Sequence, residues 1–243
     1  MTWFFALLFV VAVVSGATAT VVGFGIGSLL TPLLATRLGM PVAVAAVAIP
    51  HGVATGVRCW RLRREIDREV FLRFGVVSAA GGLIGALLYT QLGVSALTSV
   101  LGGLLLLTAT AGMTGWSSRW KPRGAVVWLL GLGSGFFGGI AGNQGGLRAA
   151  ALSTFRLAPA VFVATATASG LMVDLARVPI YLWRAGDELL ALALPIGIAC
   201  AGVLVGTVAG ERILLGLSPQ TFRFAISAAI GLLGLWLLFG SGG

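Results

Sequence analysis

The run GLGSGFFGGIAGNQGGLRAAAL, from Gly131 to Leu152, is apolar at both flanks and holds Gly142, Asn143, Gln144, Gly145, Gly146 and Arg148 at its centre. Flanks of that kind suit lipid, but such a centre cannot belong to an unbroken spanning helix. The glycines relax the helix and free backbone N–H and C=O groups, which at membrane depth are tolerated only against protein or a wet cavity. The run therefore predicts a break with a ligand site beside it. A short helix restarting near Gly145 aims its first N–H groups, and the positive end of its dipole, back into the break with Arg148 in its first turn. The expected ligand is an anion.

The break has a twin. A shift of 119 residues lays Ser15 on Ser134, Gly16 on Gly135, Gly23 on Gly142, Gly27 on Gly146, Arg37 on Arg156 and Arg58 on Arg177. With two extra residues in the second half, Ala80, Gly81 and Gly85 fall on Ala201, Gly202 and Gly206. Two more bring Leu92, Gly93, Ser95 and Thr98 onto Leu215, Gly216, Ser218 and Thr221. Apolar sequences match easily by chance, so the glycine, arginine and serine pairs in one slowly drifting register carry the case for duplication. Paired broken segments at corresponding places in two halves point to a transporter's binding site. Gly23, Gly25, Gly27 and Ser28 would then complete a site with Gly142, Asn143, Gln144, Gly145, Gly146 and Arg148.

The expected fold is an all-α polytopic membrane protein of two homologous repeats, 1–115 and 125–243, joined by a linker at 116–124. Each repeat has about four helical segments and opens with a glycine-broken segment. The composition agrees: 58% of the 243 residues are hydrophobic, 9% are charged and the mean hydropathy is +1.04, which leaves no room for a sizeable soluble domain. A net charge of +9 gathered in loops reads as topology and contact with anionic headgroups rather than nucleic-acid binding. Cys59 and Cys200 show no paired spacing, so neither a disulfide framework nor a metal site follows, and no cofactor is expected.

Along the chain, Trp3 to Thr36 is far longer than the roughly 20 residues one span needs and is interrupted at GFGIG. Residues 1–22 resemble a signal peptide in ending on small residues, but no lysine or arginine precedes the apolar run, so they are read as retained helix. Further helices are expected at about 41–57, 74–91 and 95–114, with the arginine-rich stretch 58–73 as a loop, and then at 159–183, 188–209 and 219–239. Two arrangements remain open. If each half crosses four times, the halves are parallel. If each broken segment dips in and returns, each half crosses three times and the halves are inverted, which we favour. The basic loops 58–73, 116–124, 148–156 and 211–223 then share one side, made cytoplasmic by the positive-inside rule.

Arg148 is the sharpest candidate, because an arginine beside a membrane break is expensive unless paired or wet; its plain alternative is snorkelling to headgroups. Asn143 and Gln144 can donate amide hydrogens to an oxyanion or cap freed helix ends. Asp174 and Arg177 sit three apart on one helix face, as a structural pair or a gate, with Arg58 at the equivalent place in the other half. His51, the lone histidine, can gain or lose a proton near neutrality, which suits coupling, or is a packed hydrogen-bonding residue. Thr165, Thr167 and Ser169 offer hydroxyls for substrate or for helix packing. No serine-protease elbow, zinc-protease motif or phosphate-binding loop is present, so an enzyme is not expected.

These residues resemble the sulfite exporter TauE/SafE family. The resemblance covers essentially the whole chain and rests on GFGIGSLLTPLLA (Gly23 to Ala35), SGFFGGIAGNQGGLRAAAL (Ser134 to Leu152), IPHGVATGVRCWRLR (Ile49 to Arg63) and VDLARVPIYL (Val173 to Leu182). Asn143 and Gln144 stand where many members have glycine, and Ala151 stands where the first half has Pro32. The resemblance implies secondary transport of a small anion, such as sulfite, a sulfonate or another organosulfur anion, across the bacterial inner membrane. The partners to consider are that anion, the bilayer, a second copy of the chain as a homodimer, and a proton or sodium ion for coupling. The rival readings are a transporter or channel for a cation or neutral solute, and a non-transporting membrane scaffold.

Overall fold

The computed structural model describes residues 2–21, 25–115, 124–143, 145–152, 155, 157–213 and 219–240. These form ten helices and no strand. They are α1 (Thr2–Val21), α2 (Ile26–Leu38), α3 (Met40–Leu62), α4 (Arg68–Leu88, with a π turn at Phe71–Gly75), α5 (Val94–Thr114) and α6 (Ala125–Ala141). Then come α7 (Gly145–Leu152), α8 (Pro159–Ala191), α9 (Ala193–Ile213) and α10 (Pro219–Leu235), which widens into a π turn at Trp236–Gly240. Five of them are long and apolar enough to cross a bilayer: most of α1 and α8, and all of α3, α4 and α5. The protein is a multi-pass, all-α membrane protein.

Both broken segments turn back. The Arg37 guanidinium, near the end of α2, stacks over Trp3 and Phe4 at the start of α1, 5.4 and 5.3 Å from their ring centroids. In the second half Phe155, just past α7, lies 6.4 Å from Trp128 near the start of α6. Each helix of about 20 residues is thus followed by a short one that returns to the level where the first began.

Chain direction follows from close contacts. On α9, Gly202 lies against Phe9 and Gly206 against the Val13 carbonyl, so α1 and α9 are parallel. On α4, Gly81 lies against Leu132 and Gly85 against Phe136 of α6, again in parallel. Along α8, Met172 meets Gly75, Tyr181 packs on Tyr89 at 4.8 Å and Arg184 reaches Thr90, so α8 runs with α4. Gly102 meets Leu238 and Gly112 meets Ser227, making α5 and α10 antiparallel. Short links reverse the chain between α3 and α4, α4 and α5, and α8 and α9. It follows that α1, α3, α4 and α5 run opposite to α6, α8, α9 and α10 respectively, the directions that inverted halves would have.

Two sequence expectations change. The stretch 58–62 is helical, since α3 continues to Leu62, and α4 starts at Arg68 rather than near 74; the loop shrinks to 63–67 and Arg58 becomes an interior residue. Also, Gly81 and Gly85 do not pack as Gly202 and Gly206 do. Gly81 sits on Leu132 as Gly206 sits on Val13, and Gly135 on Ser78 as Gly16 on Val203. The packing therefore matches α4 with α9 at an offset of 125. The helix α8 has 33 residues against 23 in α3, and its extension bends at Ala185 (φ −134°, ψ 26°).

Arg61, Arg63, Arg64, Arg68 and Arg73 cluster where α3 ends and α4 begins. The helix ends flanking 116–123, 153–158 and 214–218 point to that same face, and those stretches and their borders carry Arg119, Lys121, Arg123, Arg156, Arg212 and Arg223 in the sequence. Arg37 and Arg184 belong to the opposite face.

Candidate functional site

The two breaks touch. The chain leaves α1 and re-enters helix after Gly25, whose φ of 138° is open to glycine and strained for any residue with a Cβ. A Cβ at Gly27 would collide with the Gly142 carbonyl. Gly142 itself ends α6 in the left-handed conformation, φ 71°, and donates its N–H to Gly138 O at 3.1 Å. Two glycine-only conformations and a glycine-only approach thus bring the tip of each hairpin against the other.

Around that contact lies a cavity of about 20 Å³, more than one water needs. It is walled by Gly25, Ile26, Gly27 and Ser28 of the first hairpin, Gly142, Asn143, Gly145 and Arg148 of the second, His51 and Arg58 of α3, and Ala19 of α1. Asn143, Arg58 and Arg148 are only 5–6% exposed. Arg148 stands in the first turn of α7 and donates from Nη1 to the Ala166 carbonyl at 2.8 Å. Gly170 of α8 makes room, since a Cβ there would run into that guanidinium. The plain reading of Arg148, snorkelling outward, is excluded by this burial.

Behind the cavity, α8 supplies a tied network. Asp174 Oδ2 lies 2.7 Å from His51 Nδ1, while its Oδ1 accepts from Arg177 Nη2 at 2.8 Å and Nε at 3.0 Å. Arg177 Nη1 donates to Gly138 O and Tyr181 donates its hydroxyl to Gly139 O, fastening α8 to α6. Thr55 donates to the His51 carbonyl at 2.6 Å, one turn back along α3. Asp174 therefore fixes the imidazole with one oxygen and satisfies an arginine with the other.

The groups left over are three N–H donors and the hydroxyls of Thr31 and Thr207. Among the described residues, Arg58 Nε, Arg58 Nη1 and Asn143 Nδ2 are buried without a hydrogen-bond partner, and all three belong to side chains that wall the cavity. Burying a charged donor without a partner is expensive. Among the described residues, three buried arginines, Arg58, Arg148 and Arg177, stand against one buried carboxylate, Asp174, so positive charge is in excess at the centre. A small anion in the cavity satisfies both demands at once.

Of the residues singled out in the sequence, Gly25, Gly27, Ser28, Gly142, Asn143, Gly145, Arg148, His51 and Arg58 meet at the cavity, with Asp174 and Arg177 directly behind it. Gly146 lies in the first turn of α7. Gly23 and Gln144 lie outside the described residues. Thr165, Thr167 and Ser169 do not wall the cavity: Thr165 accepts from the Asp67 backbone N–H at 3.0 Å, and Ser169 donates to Thr165 O, so the Thr165 and Ser169 hydroxyls serve the α3–α4 link and helix packing. Sequence reasoning missed Tyr181 and Gly170. Gly170 had a signal, because it falls opposite His51 at the offset of 119.

Two hairpins meet tip to tip over a buried, donor-lined cavity in a polytopic membrane protein. The family comparison agrees: the sulfite exporter TauE/SafE model matches residues 8–237, and the chain belongs to that family. The family is one of membrane transporters for sulfite and related anions, and membership makes this chain a membrane transporter. Comparisons with curated proteins and with solved structures find no match.

Proposed function

We propose that the protein is a secondary transporter that exports sulfite, a sulfonate or another small organosulfur anion across a bacterial inner membrane, with its basic face in the cytoplasm. The observation that carries this reading is the set of unpartnered donors of Arg58 and Asn143, facing the same cavity as Arg148 where the two breaks meet. An oxyanion held there accepts from both arginines and the amide, with the N-terminus of α7 adding its dipole. The glycine breaks keep donors close to the anion without placing side chains in its way. Inverted halves supply alternating access: rocking one hairpin and its helices against the other exposes the cavity to each face in turn.

His51 is the coupling group in this reading. Its Nδ1 is held by Asp174, so proton gain on the other ring nitrogen adds a third positive donor at the cavity wall and proton loss removes it. Anion and proton therefore favour each other's binding. Arg177, tied to Asp174 and Gly138 O, serves as the closed gate.

The cation reading is weaker, because the one carboxylate near the cavity is already engaged by His51 and Arg177. The test is thermal stabilisation of the purified protein by sulfite, thiosulfate, methanesulfonate, acetate, sodium and potassium. Sulfur oxyanions should stabilise it, and Arg148→Ala should abolish that shift. Stabilisation by cations alone, or an unchanged sulfite shift in Arg148→Ala, overturns the anion reading.

A further inference from the structure

A second chamber, about 320 Å³, lies between the cavity and the basic face. Its walls come from the end of α1 (Thr20), the last turns of α3 (Arg58, Arg61), the first turn of α8 (Val163) and α9 (Thr207). Each of these positions lies toward the basic face. Arg58 is the one residue that walls both this chamber and the central cavity. It is buried, with Nε and Nη1 unpartnered, and Thr207 Oγ1 in the same chamber is also buried without a partner. Arg61 follows one turn further out on the same face of α3 and is exposed. Among the described residues, no acidic side chain walls the chamber. On the opposite side of the cavity the path is filled by the Arg177–Asp174 pair and by Tyr181 packed on Tyr89.

We propose that this chamber is the vestibule through which the anion travels between the basic face and the cavity, with Arg58 as the selectivity residue that passes it inward and Arg61 as the outer attractor. The proposal rests on the anion-transport reading and adds a second binding station and a sidedness to it. The physical basis is a cleft lined by one sign of charge with low-dielectric walls, which concentrates counter-ions. Arginines one turn apart bring an anion from Arg61 to Arg58 in steps of about 4.5 Å along the helix. Thr207 supplies a hydroxyl donor on the far wall. Arg58 then turns the same guanidinium toward Asn143 and Arg148. The structure is the state open to the basic face and sealed against the other.

The port can be tested without sulfite. Val163→Cys, in full-length protein with Cys59→Ser and Cys200→Ser, is reconstituted in vesicles of known sidedness and labelled with an anionic (sulfonatoethyl) or a cationic (trimethylammonium-ethyl) methanethiosulfonate. Labelling should occur from the basic face, and the anionic reagent should be favoured by roughly tenfold over its reactivity with a free thiol in solution. Arg58→Gln should remove most of that preference, Arg58→Lys should keep it, and Arg61→Gln, at an exposed position, should reduce it partway. Labelling only from the opposite face, or a preference unchanged by both Gln variants, overturns the proposal. The sulfite-induced thermal shift of the parent separates the two ideas. A charge preference that depends on Arg58 and Arg61 upholds the port even where sulfite fails to bind, and sulfite binding without that preference leaves the transport reading standing and removes the port.

Discussion

Arg58 and Arg177 stand 119 residues apart, each in the helix that follows a break, each buried. Their surroundings differ first at the residue one turn before each. Three residues before Arg177 is Asp174, which takes two of its N–H groups; three before Arg58 is Thr55, which bonds back to its own helix. Arg177 is consequently tied on its helix, while Arg58, beside the cavity, keeps two buried nitrogens without a partner. The short helices differ in the complementary sense. Arg148 in α7 answers to Leu29 in α2, and the helix facing each one carries Gly170 or His51. At positions matched by the offset of 119, the two halves thus differ in a few charges.

The strongest way to break this contrast is Asp174→Thr, which gives the second half the first half's residue. It strands Arg177 and unfastens His51, and removing one partner of a buried ion pair costs about 3–5 kcal/mol. Thermal unfolding in detergent should show a large fall, and sulfite flux in proteoliposomes should vanish. A variant as stable as the parent would mean that Asp174 does not lock Arg177. The reverse exchange, Thr55→Asp, sharpens the contrast. It offers Arg58 a carboxylate at the spacing that Asp174 offers Arg177, occupying donors that we assign to the anion. The fold should survive, and sulfite affinity should drop by the worth of a charged hydrogen bond, about 1.5–3 kcal/mol. An undiminished sulfite shift would take Arg58 out of the binding site.

Much of this was legible in the sequence, for identifiable reasons. Glycines and amides inside an apolar run have few explanations other than a break, and the spacing of Asp174 and Arg177 sets a pair on one helix face. The burial of Arg58 was hidden because it precedes Arg61, Arg63 and Arg64, and local composition does not distinguish the inward side of a last helical turn from a loop. Thr165 and Ser169 looked like substrate hydroxyls because a sequence does not say which face of α8 turns to the cavity. The offset of 125 was masked by glycines recurring every four residues, as at Gly81 and Gly85 or Gly202 and Gly206, so that sliding one helical turn preserves the matches.

That corrected offset makes its own comparison. Gly16 packs on the Val203 carbonyl and Gly135 on the Ser78 carbonyl, in helix pairs α1–α9 and α6–α4 that occupy equivalent places. A methyl group added at either must push two backbones apart. Gly16→Ala and Gly135→Ala should therefore destabilise the protein by similar amounts, about 1–3 kcal/mol each, by thermal unfolding. A tolerated Gly16→Ala beside a damaging Gly135→Ala would mean that the two pairs are not equivalent contacts.

The smallest effect is expected at Gly56, whose position in the second half is taken by Leu175. Leu175 is 63% exposed, and a Cβ at Gly56 would meet no atom within 4 Å. Both observations place this side of α3 and α8 toward lipid, where an added apolar side chain gains contacts with acyl chains and displaces nothing. Replacing glycine also removes a helix-weakening residue from the interior of α3. Gly56→Leu should thus leave stability within about 0.5 kcal/mol of the parent, as substitutions away from packed features do. A marked loss of stability, accompanied by a change in oligomer size on cross-linking, would show instead that a second copy of the chain covers this side of α3.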